Sequence, residues 1–178
     1  MAAGGRSLPV TLGVVTVLAV AIGATLVASG VGCEKDADSP VETVRIGGRS
    51  FTLELALDPE TRFQGLSDRT VIEPDGGMLF VFPRPGQLSF VMRDCGIPID
   101  IIFLDGSGRV VATHAMTPED PKRPTETDAA YDARLRKYPS RFDSQFVIEL
   151  AGGTLPSLNL SEGQQIALDT NGLKRRAR

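Results

Sequence analysis

Apolar and polar positions alternate soon after residue 40. Val44 and Ile46 precede a Gly47-Gly48 pair, and beyond it Phe51, Leu53, Leu55 and Leu57 alternate with Thr52, Glu54 and Ala56. A period of two marks strands with one buried face, and Gly-Gly between them predicts a β-hairpin. The pattern changes at "LDPETRFQGLSDR", where Asp58 suits an N-cap, Pro59 the first helical position and Glu60 the first turn. A short helix is predicted there, with Gly65 near its end. Apolar runs resume at "GMLFVF" (77–82), which ends in "PRPG", and at "LSFVMRD" (88–94). "IDIIFL" (99–104) turns through "DGSG" into "RVVATHAM" (109–116) and reads as a second hairpin. Residues 117–142 are polar and Pro-rich, with room for two helical turns at "AAYDARLRK". A connection of that length, 117–139 above all, is expected to be functional or mobile. "SQFVIEL" (144–150) and "QQIALD" (164–169) complete the strands.

These elements predict a mainly β domain, a β-rich α+β fold with seven or eight short strands and one or two short helices. Hairpins dominate, so a compact antiparallel, barrel-like sheet is expected, which would protect its own edges. Regular strand–helix alternation is missing, which argues against a doubly wound fold and its nucleotide crevice.

The first 33 residues follow another rule. Leu8 to Gly32 is a stretch of 25 uncharged residues, mostly Val, Leu, Ala and Gly. As a helix it would reach across a hydrocarbon core of roughly 30 Å. Three readings fit it: a lipoprotein signal with Cys33 as lipidation site, an uncleaved membrane anchor, or a plain secretory signal. Gly32 before Cys33 suits the first, although Gly30 stands where such signals usually carry leucine. Arg6 precedes the stretch while Glu34, Lys35, Asp36 and Asp38 follow it, so each reading places the remainder outside the cytoplasm. The expected layout is a signal or anchor over 1–33, a tether over 34–40, a domain over 41–170 and a basic tail over 171–178.

Charge narrows the partners. With Arg6 set aside, 18 of the 19 Lys and Arg face 22 acids, a balance that speaks against nucleic acid. Lys174, Arg175, Arg176 and Arg178 form the one basic cluster, expected as a solvated tail with acidic lipid headgroups as the other reading.

"ETRFQGLSDR", "GGMLFVFPRPG", "SFVMRDCGIPIDIIFLDGSGRVV", "HAMTP", "YPS" and "FVIELAGG" occur in this order. Together they resemble the DUF192 (UPF0127) family over about residues 41–170. The resemblance implies a compact β-rich, barrel-like domain, often behind an N-terminal signal or anchor, and it implies no activity. The chain departs from the family's usual "FWMKNT-IPLDIAF" by carrying Val91, Arg93, Asp94 and Cys95. Its 117–139 loop is also longer than the resemblance leads one to expect.

Candidate chemistry is sparse. Cys95 has Asp94 beside it, which raises a thiol pKa, and His114 is the single histidine, so a packed thiol is expected rather than a nucleophile. One histidine makes no preformed zinc site, and Met78, Met92 and Met116 read as core filling before copper ligands. Neither metal nor cofactor is expected. Asp100 opens an apolar strand and needs donors, with Arg93 and Arg62 as candidate partners. Arg62, Gly65 and Arg69 would share one face if the helix continued, leaving a gap for a small anion. The expected role is a membrane-tethered extracytoplasmic binding or accessory module for a small anionic ligand, an envelope component or an envelope protein. Arg62, Arg69, Asp94, Asp100 and His114 are its candidate ligand residues. The alternative is a hydrolase or lyase acting on an envelope-associated small molecule or glycan through Asp100 and His114.

Overall fold

The computed structural model describes Met1 and residues 40–178. The signal or anchor, Cys33 and the tether up to Ser39 lie outside the described residues. Among the described residues no helix is long and apolar enough to cross a membrane.

Strands β1 (Val41–Ile46) and β2 (Arg49–Ala56) form the predicted hairpin, with Ile46 opposite Arg49. Gly47 and Gly48 make its turn at φ of 55° and 83°, left-handed values that side chains resist. Asp58 then caps α1 (Pro59–Gln64), accepting hydrogen bonds from the amides of Glu60 and Thr61 at 3.0 Å each. The helix stops where Gly65 adopts φ 53° and ψ −132°.

Beyond α1 the chain enters β3 (Gly76–Phe90), parallel to β2. The hairpin of β4 (Ile99–Leu104) and β5 (Val110–Met116) follows. The long connection contains α2 (Asp128–Arg134) and leads into β6 (Tyr138–Ala151), which lies between β3 and β4 and is antiparallel to both. Two short helices, α3 (Leu155–Leu158) and α4 (Thr170–Arg176), end the chain.

The mainly β class is therefore present, with several corrections. The described residues form six strands, in the order β1-β2-β3-β6-β4-β5. "GMLFVF" and the first three residues of "LSFVMRD" are one strand, because β3 absorbs "PRPG" as an irregularity where its register with β6 jumps between Val81 and Gly86; proline is tolerated at such bulges. "QQIALD" contributes only the isolated bridge of Gln165 to Arg109. The sheet is mixed rather than antiparallel, since the β2–β3 crossover carries α1, and it is not closed into a barrel: β1 and β5 are its edges. The described residues form four short helices, and the segment expected as a solvated tail holds most of α4, whose Leu173 is buried in the core.

Both faces of the central strands are buried, and all six residues of β4 are inaccessible. Leu79, Ile102, Leu104, Phe146, Ile148 and Leu150 face one side, covered by Leu158 and Leu173. Met78, Phe80, Ile101, Phe103 and Val147 face the other, with Leu66, Met92 and Cys95. Double burial explains why β4 and "FVIEL" read as continuous apolar runs instead of alternating ones.

Candidate functional site

The residues singled out in the sequence do not converge. Asp100 lies on the α3–α4 side of the sheet, 1% exposed, and meets no arginine: its Oδ2 accepts a hydrogen bond from the Leu155 amide at 2.7 Å. The carboxylate thus fastens the start of α3 to β4. Asp100 pairs in register with Ala115, and Ile101 with His114, so the Asp100 and His114 side chains leave opposite faces of the sheet. His114 Nε2 lies 2.8 Å from the Pro139 carbonyl oxygen; a carbonyl can only accept, so Nε2 carries the proton. No acid–base pair is assembled from Asp100 and His114.

The arginine face expected beyond Gly65 is not built either, because α1 ends before Arg69. Arg69 pairs with Glu54 at 2.7 Å. Arg62 donates to the Val81 and Arg178 carbonyl oxygens at 2.9 and 2.7 Å, with its guanidinium 5.2 Å from the Phe82 ring centroid. Asp94, at φ 52°, is held by Tyr131: its amide donates to the phenol oxygen, and the phenol hydroxyl donates back to its Oδ1, both at 3.1 Å. Arg93 forms an ion pair with Asp132 at 2.5 Å and lies over Phe63, 5.2 Å from the centroid. The polar 117–137 connection is in this way tied through α2 to the turn around residues 93–94. It is braced internally by Arg134, which binds Glu126 at 2.7 Å and the carbonyl oxygens of Asp120 and Pro121.

Met78, Met92 and Met116 are buried in the apolar cluster. No group of three or more His, Cys, Asp or Glu side chains among the described residues is placed to hold a metal ion.

What the fold does build is an open cavity of about 620 Å³ between α1 and the sheet. Phe80, Phe82 and Phe90 supply aromatic wall, packed edge to face at centroid distances of 5.2 and 6.5 Å. Arg62, Arg84 and Arg93 also line it, and Arg84 is exposed and makes no ion pair among the described residues. Within reach of this space lies a carboxyl absent from the candidates above. Glu149 of β6 is 5% exposed, lines the cavity and has no hydrogen-bond partner among the described residues. Burial pushes its carboxyl up to about 8, because the ionised form loses its water without gaining a counter-ion. Cys95 lines the same cavity, its thiol pushed up to about 11 by burial and then by Glu149. At neutral pH it is an unreactive thiol that donates to the Arg93 carbonyl oxygen at 3.3 Å.

Register explains how Glu149 reaches the cavity. Glu54 pairs with Met78, Met78 with Glu149, Glu149 with Ile101, and Ile101 with His114. These five residues form one row across the sheet on the face that α1 partly covers. Gly65 stands over the row: a Cβ there would lie 3.9 Å from Glu149 Oε2 and 3.3 Å from Phe80 Cζ. The one sequence signal for Glu149 is its being the single charge within "FVIEL"; its face could not be assigned while both faces read as apolar.

The DUF192 family model, described as "Uncharacterized ACR", matches residues 42–168. Among solved structures, a protein provisionally described as a transcription regulator, from Sinorhizobium meliloti 1021, is 30% identical with a TM-score of 0.59, over 72% of this chain and 94% of that one. A protein of unknown function from Novosphingobium aromaticivorans DSM 12444 is 23% identical with a TM-score of 0.63, over 77% of this chain and 91% of its own. The latter likeness is one of fold. No curated protein matches the chain.

Proposed function

Since the chain belongs to the DUF192 family, whose description assigns no activity, we propose from its own geometry that it is a binding module for a small, largely apolar molecule with an anionic end. The observation that carries this reading is the cavity: aromatic walls from Phe80, Phe82 and Phe90, with an exposed Arg84 that has no acidic partner among the described residues. Apolar walls with a few placed polar groups suit small-molecule recognition, and a guanidinium at the mouth suits a carboxylate or phosphate. Arg62 and Arg93 add positive potential while remaining bound to carbonyl oxygens and to Asp132. The uncharged Leu8–Gly32 stretch supports a membrane-tethered, extracytoplasmic setting, where such a module would serve an envelope component or an envelope protein. A net charge of −3 favours a small ligand over nucleic acid.

Isocaproate, a short branched carboxylate, is a suitable probe. The full chain should bind it saturably. Arg84→Ala should weaken binding about fivefold, the scale of roughly 1 kcal/mol for one charged contact. Arg45→Ala, on the exposed edge of β1, should leave it unchanged. Equal loss in both variants, or no binding to the wild type, would remove this reading.

A further inference from the structure

Glu149 is a polar group without a task in the fold. It lines the cavity at 5% exposure with neither donor nor acceptor among the described residues. The charged and titratable groups around it are engaged elsewhere. Arg69 is taken by Glu54, Arg93 by Asp132, Arg62 by two carbonyl oxygens, and His114 by the Pro139 carbonyl. The Cys95 thiol is turned to the Arg93 carbonyl oxygen, and Arg84 is exposed on the cavity wall. None of these gives Glu149 a hydrogen bond or an ion pair.

An enclosed carboxylate without a counter-ion is very costly, so the group stays protonated. Burial accordingly moves its titration up to about 8. A protonated carboxyl carries one O–H donor, and no group among the described residues receives it. Gly65, lacking a side chain, keeps the approach to Oε2 clear.

We propose that Glu149 selects the buried end of the ligand: its O–H donates to an uncharged oxygen, a ketone, ester or amide carbonyl, on the apolar molecule whose anionic end meets the arginine-bearing wall. This rests on the binding reading above and adds to it the chemistry of the inner end. A ligand with hydrocarbon at that position leaves the O–H unpaired in a dry site and is discriminated against. A ligand with an ammonium group there is received only after Glu149 has released its proton to solvent.

Three carboxylates of equal size separate these cases: levulinate with a ketone, isocaproate with a methyl group and γ-aminovalerate with an ammonium at the same carbon. Titrated calorimetrically into the full chain at pH 7, levulinate should bind about tenfold tighter than isocaproate. That preference should fade above about pH 8 as the O–H is lost. Glu149→Gln, whose amide still donates, should keep the ketone preference and lose its pH dependence. Glu149→Leu should lose the preference while still binding isocaproate, which also shows that it is folded. Equal affinity for levulinate and isocaproate overturns the proposal and leaves the anion-binding reading standing. Tightest binding of γ-aminovalerate with proton release also overturns it, making Glu149 an anionic acceptor. Binding of none of the three overturns both.

Discussion

Glu54 and Glu149 stand in the same row of the sheet, one on each side of Met78, and Arg69 neutralises Glu54 alone. Two carboxyls of identical chemistry thereby acquire different states. Glu54 is a partly exposed member of an ion pair, while Glu149 is a buried acid on the cavity wall.

The pH dependence of stability follows from that contrast. An unfolded glutamate titrates near 4.5, and folded Glu149 near 8. Between those values the unfolded chain releases a proton that the folded one keeps. Stability from this group is therefore full below about pH 4.5, declines as pH rises to about 8, and is level above. The slope is at most about 1.4 kcal/mol per pH unit, a few kcal/mol in all once water reaches the cavity. Denaturant melts at a series of pH values should show the decline in the wild type and its loss in Glu149→Gln. An equal slope in both would refute the assignment.

Gly65 ends α1 with a backbone that L side chains adopt only under strain, and a methyl group there would press on Phe80 at 3.3 Å. Gly65→Ala is expected to cost about 1–3 kcal/mol in denaturant melts. It should also weaken isocaproate binding, because the α1 side of the cavity moves. An unchanged melt would mean that the turn is looser than described.

Tyr131 ties the 117–137 connection to the turn at Asp94 through two hydrogen bonds. Tyr131→Phe removes both and leaves the buried ring in place. A loss of about 1–2 kcal/mol is expected, with faster proteolytic cleavage between residues 117 and 137. Cleavage at the wild-type rate would show that packing alone holds this segment.

Asp100 has a structural task, and its variants should behave accordingly. Asp100→Asn keeps an oxygen acceptor for the Leu155 amide and should cost under about 1 kcal/mol. Asp100→Leu orphans that amide and should cost about 1–3 kcal/mol. Neither should alter isocaproate affinity, since Asp100 faces away from the cavity; a tenfold loss in a folded Asp100→Asn protein would contradict this.

The β1–β2 hairpin, the Asp58 cap, the β4–β5 hairpin and α2 were all legible in the sequence, because each depends on local chemistry. What was not legible depends on partners distant along the chain. The donor to Asp100 is an amide 55 residues away, whereas proximity in sequence pointed to Arg93. "PRPG" reads as a strand end, yet pairing with β6 on both sides of it keeps β3 whole. The expected Arg62–Arg69 face failed on one backbone angle at Gly65. Glu149 could be placed only once the register with Met78 and Ile101 fixed which face it occupies.

The function proposed for this protein is the binding of small carboxylates in the cavity under α1. Its most direct measurement is a two-dimensional amide NMR titration of the full chain with isocaproate. Saturable shifts are expected at Gly65, Phe82 and Arg84, which line the cavity, with Leu155 and Leu173 on the far face unmoved. Shifts centred on that far face, or no saturable shift at the cavity residues, would contradict it.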